Sequence, residues 1–194
     1  MTNTFDQVKR AIDRLDPRHL LGMHAPQDEY DPESRKISER ITDKDSAEQI
    51  AAVIADVMHT AFGENDSPAR FLETAVCIRR ALRYAYYGSM SDLFEYGSLS
   101  DGECIPPANE ILADICTETD PAVLEDMLHA LHTFVTFRHG AERLDLSPLT
   151  GNPLRFGAAS AEYLPDILHA AGHPLENEII RQIQAQHPQT NLPE

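Results

Sequence analysis

The sequence predicts an all-α fold, a helical bundle, on three observations. Apolar residues recur at spacings of three and four through most of the chain. Asp-Pro, Ser-Pro or capping-box signals stand at the starts of these segments and glycines at their ends. Neither an alternating strand run nor an Asn-Gly hairpin turn appears. With 194 residues, 42% of them hydrophobic, the chain can bury a genuine core.

The elements follow in order. Phe5, Val8, Ile12 and Leu15 make the N-terminal segment an amphipathic helix rather than the apolar core of a signal peptide. Asp16-Pro17 and Asp31-Pro32 each place a side-chain acceptor at an N-cap and a proline at the first helical position. Ser46 and Gln49 form a capping box before Ile50, Val53, Ile54, Val57, Met58 and Phe62, and Gly63 stops that helix. Ser67-Pro68 opens a segment that carries Phe71, Leu72, Ala75, Val76, Ile78, Leu82 and Tyr86 inward and is expected to end at Gly88. Short helical pieces are expected at 91–96 and, after Pro106-Pro107, at 108–118. Asp120-Pro121 caps a helix running to about Gly140, and the last two helices, 159–172 and 174–186, are divided by Gly172 and Pro174. Two stretches, 88–107 and 140–157, read as long loops. The second holds Arg143 and Arg155, a small basic island. The chain divides on this reading into an N-terminal helical segment, 1–63, and a helical region, 64–194, packed with it as one unit.

A weak repeat gives the second region a HEAT-like aspect. "VLEDMLHALH" from Val123 and "YLPDILHAAG" from Tyr163 match as L-x-D-Φ-L-H-A, with Φ apolar, forty residues apart, and "IADVMHTAFG" echoes the core of the pattern. That period suits α-solenoids of stacked helix pairs, whereas chance likeness among amphipathic helices is the simpler alternative. The repeat also yields three carboxylate-x-x-His pairs, Asp56/His59, Asp126/His129 and Asp166/His169, the kind of element from which bundle di-iron sites are built. Such sites need bridging carboxylates from other helices and generally use Glu, so a structural or solvent-facing His is the expected outcome and no metal or cofactor is assigned. Hydrolase, phosphate-loop and zinc-protease motifs are all lacking, and no catalytic residue is assigned.

Charge is the most informative bulk property. Thirty-two acidic residues against 16 basic ones give a net charge of -16, which disfavours nucleic acid and anionic lipid as partners. Between Arg83 and Arg138 there is no Lys or Arg, and ten acidic residues fall in that interval. Asp92, Glu95, Asp101, Glu103, Glu110 and Asp114 are the candidate partner-binding residues, the first four presented on a loop. The alternative is a solvated surface that serves solubility. No segment is long enough to span a bilayer, and Cys77, Cys104 and Cys116 show no C-x-x-C pairing, so a reducing cytoplasm is the expected setting.

Asp28, Glu29, Asp31 and Glu33 crowd around Tyr30. A calcium loop would need alternating oxygen ligands and a central glycine, so helix capping by Asp31, with Glu33 in the favourable first turn and Tyr30 stapled against Ser34 to Ile37, explains most of the pattern. The wider segment, with Asp16, Pro17, Leu20, Leu21, Pro26, Asp28, Glu29, Tyr30 and Asp31, resembles a family of short bacterial helical domains of unassigned activity found among immunity proteins of interbacterial toxin systems. The resemblance covers residues 5–62. The resemblance points to an immunity protein, and the acidic charge makes the expected reading a non-enzymatic module that neutralises a basic toxin domain such as a nuclease. The competing expectations are a metal-dependent bundle enzyme using the Asp-x-x-His pairs and a regulatory adaptor.

Overall fold

The computed structural model describes residues 4–186, and among these it contains nine helices joined by turns, with no strand. The chain divides into two compact units, Met1–Tyr86 and Tyr87–Glu194. The boundary lies well beyond residue 63, where the sequence placed it. Phe71, Ala75, Ile78 and Leu82 explain the difference, because all four sit in the core of the first unit.

In the first unit, α1 (Thr4–Leu15) buries Val8 and Ile12 and packs on α2 (Asp31–Ser38), which packs in turn on α3 (Ala47–Phe62). Ile37, Ile50, Ile54, Met58 and Phe71 complete a dry centre; each such side chain contributes roughly 1.5–3 kcal/mol by leaving water. The start of α3 is as expected: Ser46 Oγ accepts from Gln49 N, the Gln49 amide oxygen accepts from Ser46 N at 2.7 Å, and Gly63 ends the helix at φ 73°.

The motif segment between α1 and α2 differs from its sequence reading. Asp16 begins no α-helix after Pro17. It adopts φ 42°, and its carboxylate accepts from Leu21 N at 3.2 Å, Gly22 N at 2.9 Å and the Tyr30 hydroxyl at 2.8 Å. Tyr30 is fully buried, and its hydroxyl also accepts from Arg18 N at 3.1 Å. Arg18 extends the network to Glu64 and Asp66, and Arg70 joins Asp66 to the Pro17 carbonyl. Asp31 is not the N-cap either. It is the first residue of α2, Tyr30 occupies the cap without a side-chain bond, and the Asp31 carboxylate pairs with Lys9 of α1. Burial opposes the Lys9 charge, but the Asp31 and Asp13 carboxylates outweigh it and raise the ammonium pKa. Asp16 and Asp31 thus fasten the connection between α1 and α2, whereas Asp28 and Glu29 are exposed.

The helix that opens near Pro68 does not stop at Gly88. After a 3-10 turn over Pro68–Phe71, α4 runs from Leu72 to Tyr96. Glycine within a helix costs about 1 kcal/mol relative to alanine. Burying Phe94, which meets Phe134 edge-on with centroids 5.3 Å apart, returns roughly 2–3 kcal/mol and carries the helix across.

In the second unit, α5 (Asp101–Ile115) packs on α6 (Pro121–Phe137), α6 on α8 (Ala158–Ala170), and α8 on α9 (Glu176–Gln186). The supposed loop at 88–107 is therefore mostly helix. Ser100 and Glu103 form a capping box that starts α5 seven residues before the expected Ala108. Pro106 and Pro107 are tolerated in its second turn because the carbonyls they cannot bond belong to exposed Gly102 and Glu103. Asp120 caps α6 as expected, accepting from Ala122 N. Residues 140–157 fold into two 3-10 turns around the short α7 (Ser147–Thr150), and Leu144, Leu146, Leu149 and Phe156 close over the core.

The repeat-bearing helices α6 and α8 pack against each other, and the apolar positions they share, Leu124/Leu164 and Leu128/Leu168, are buried in both. The echo nevertheless joins unlike positions. α6 is the second helix of the α5–α6 pair, whereas α8 is the first of the α8–α9 pair. Equal burial patterns on two core helices account for the similarity without a recurring helix pair.

Candidate functional site

Four of the six candidate acidic residues, Asp92, Glu95, Asp101 and Glu103, lie where α4 ends and α5 begins, and one arginine builds that corner. A helix leaves its last four carbonyls without intrahelical donors. Arg138, just past the end of α6, turns its guanidinium onto two of them, at Leu93 and Phe94, and onto the Gly97 and Leu99 carbonyls of the segment that follows. Nε donates to Phe94 O, Nη1 to Leu99 O at 2.9 Å, and Nη2 to Leu93 O at 3.2 Å and Gly97 O at 2.8 Å. Glycine is required at 97 because a Cβ there would stand 2.3 Å from Leu93 O. Arg155 acts similarly, donating to Ile115 O at the end of α5 and lying over the Phe156 ring.

These two contacts decide the electrostatics of the second unit. Residues 87–194 hold 17 acidic side chains and only four basic ones, whereas residues 1–86 hold 15 and 12. Of the four arginines, Arg138 and Arg155 are directed at neutral carbonyls, Arg181 sits 3.5 Å from Glu178, and Arg143 is exposed. The basic island expected from Arg143 and Arg155 therefore does not form an anion site, since one of the pair is used as a helix cap.

The six candidate residues have different surroundings. Asp92 is exposed on α4 and Glu95 is half-buried one turn later. Asp101 and Glu103 lie in the first turn of α5, not in a loop. The Ser100 hydroxyl and N–H hold the Glu103 carboxyl below its ordinary range. Glu110 is exposed further along α5, and Asp114 accepts from the Tyr87 hydroxyl at 3.3 Å. Asp92, Glu95 and Asp101 thus border the Arg138 corner, Glu103 is tied to the cap, and Glu110 and Asp114 sit about two and three turns beyond Glu103 along α5.

Two residues there escaped the sequence reading. Tyr96 is 76% exposed and Phe137 52% exposed. They flank the same staple, Tyr96 between the Phe94 and Gly97 carbonyls and Phe137 immediately before Arg138. The Glu95 carboxylate beside Tyr96 pushes its phenol pKa up. An exposed ring with carboxylates beside it, as Glu95 and Asp92 stand beside Tyr96, is suited to receive cationic side chains, whose charge pairs with the carboxylates while their stems or guanidinium planes lie on the ring.

The Asp-x-x-His pairs do not converge. Arg40 holds Asp56, while His59 Nδ1 faces the Glu64 carbonyl. Across α6 and α8, His132 Nε2 meets Asp166 Oδ2 at 3.0 Å, and Tyr163 lies against both His129 and His132. His169 turns to Glu176. Burial first, then Glu162 and the α6 carboxylates, push the Tyr163 phenol up to about 12, and burial raises the Asp126 carboxyl. Among the described residues no three His, Cys, Asp or Glu side chains are grouped so as to hold a metal ion.

No protein-family model matches the chain, and no curated protein or solved structure does either. Among the described residues no helix is long and apolar enough to cross a membrane.

Proposed function

We propose that the protein is a non-enzymatic binding module that captures a basic protein surface through the α4–α5 corner, acting most concretely as an immunity protein that occludes a toxin domain. The observation that carries this reading is the excess of 17 acidic over four basic side chains in residues 87–194 beside two exposed aromatic rings, at a corner where Arg138 is directed at backbone carbonyls. Nuclease domains present basic phosphate-binding sites. An acidic face would meet such a site with complementary charge, which speeds encounter and disfavours wrong partners. Tyr96 and Phe137 supply the central anchors that interfaces of this kind draw most of their energy from. The likeness of residues 5–62 to short helical domains of immunity proteins points the same way.

The test is co-expression with the product of the adjacent gene, followed by hydrogen exchange on the purified complex. Protection should centre on residues 92–103 and 137–139. A complex protected only within residues 4–86, or no complex at all, would oppose the proposal.

A further inference from the structure

The strongest unexplained feature lies in the first unit. A cleft of about 440 Å³ opens between α1 and α4, with Gln7, Arg10 and Arg14 on one side and Glu73, Thr74 and Cys77 on the other. Ala11, Leu15 and Ala81 supply its apolar surface. Its size falls in the range of small-ligand sites.

The arginines single it out. Most cations of the first unit are engaged, among them Lys9 with Asp13 and Asp31, Arg18 with Glu64 and Asp66, Arg40 with Asp56, Arg70 with Asp66, and Arg35 over the Phe5 ring. Arg10 and Arg14 make no ion pair among the described residues, although the chain carries twice as many acidic as basic side chains and Glu73 lines the same cleft. They stand one helical turn apart, so both guanidinium groups can reach one anion, which planar donor forks bind in two-pronged fashion.

We infer that this cleft binds a small organic anion, with a phosphate or carboxylate head on Arg10 and Arg14 and an apolar body against Ala11, Leu15 and Ala81. Gln7 and Thr74 are placed to hydrogen-bond the head or a neighbouring hydroxyl. Glu73 disfavours a second negative charge at the far wall, so the ligand carries its charge at one end. The site is separate from the acidic corner and stands whether or not that corner binds a protein.

Cys77 gives a direct readout, since it lines the cleft and is exposed, while exposed Cys116 lies in the other unit and serves as an internal reference. The full chain is alkylated with iodoacetamide in the presence of hexyl phosphate, hexanoate, hexanol or inorganic phosphate, and each cysteine is followed by mass spectrometry. At a ligand concentration about ten times Kd, Cys77 labelling should slow roughly tenfold because only about one site in eleven stays free, while Cys116 is unaffected. Hexyl phosphate, hexanoate or both should protect; hexanol and inorganic phosphate should be much weaker. In the Arg10→Gln/Arg14→Gln variant, whose two positions are exposed and whose melting temperature should be unchanged, protection should vanish. The inference is overturned if neither organic anion protects Cys77, if hexanol protects equally, or if the folded double variant is protected as well as the parent chain.

Discussion

Replacing Arg138 probes the corner on which the proposed interface depends. Its guanidinium supplies four hydrogen bonds to carbonyls of residues 93–99. A hydrogen bond made by a charged group is worth about 1.5–3 kcal/mol, but four on one side chain are not additive, and water can reach some of the freed carbonyls at this half-buried position. Arg138→Ala should therefore cost about 3 kcal/mol, and Arg138→Lys about 2 kcal/mol, because a single ammonium cannot span four carbonyls set in a fork. For a chain of this size 3 kcal/mol corresponds to a fall of roughly 6–12 °C in melting temperature. Urea unfolding followed by circular dichroism at 222 nm measures the loss, and amide exchange at residues 93–99 should accelerate first. An Arg138→Ala variant within about 0.5 kcal/mol of the parent, the scatter of ordinary surface substitutions, would refute the view that this side chain holds the corner together.

Other outcomes can be checked in the same way. Tyr30→Phe removes a buried hydroxyl that bridges Asp16 and Arg18 N, and should cost about 2 kcal/mol in urea unfolding. Asp31→Asn and Asp31→Ala should lower stability alike, by about 0.5–1 kcal/mol, because the Asp31 carboxylate pairs with Lys9 rather than capping α2; a much milder asparagine would restore the capping role. Burial opposes ionisation of Asp16, but the Gly22, Tyr30 and Leu21 donors outweigh it and hold its pKa below the ordinary value. Its contribution is therefore present above the unfolded pKa of about 4 and is lost as pH falls through the lower folded value, so an acid titration of stability should be shallower in Asp16→Asn.

Local signals were legible in the sequence. The Ser46–Gln49 box, the Gly63 stop and the Asp120 cap each depend on residues within four positions, and each stands where the spacing put it. Signals whose partner is distant were not. Asp31 looks like a cap until Lys9, 22 residues earlier, is brought beside it. Gly88 looks like a stop until the burial of Phe94 is counted, and Pro106-Pro107 look like a boundary until the box at Ser100 is seen to begin the helix before them. The acidic interval was visible by counting. That Arg138 would fail to offset it was not, since its acceptors are backbone carbonyls that carry no sequence signature, and the exposure of Tyr96 and Phe137 depends on which face α4 and α6 bury.

The central claim, that the acidic α4–α5 corner receives a basic partner, is tested most directly by the association rate with the adjacent gene product as a function of ionic strength. Stopped-flow mixing between roughly 0.05 and 0.5 M salt spans the range in which screening shrinks from more than 10 Å to about 4 Å. The rate constant should fall by about tenfold or more across it. Asp92→Lys with Tyr96→Ala, two exposed positions outside the capping box, should slow association and flatten the salt dependence while leaving the helical spectrum unchanged. A partner that binds the parent and the double variant at the same rate, with the same indifference to salt, would contradict the account.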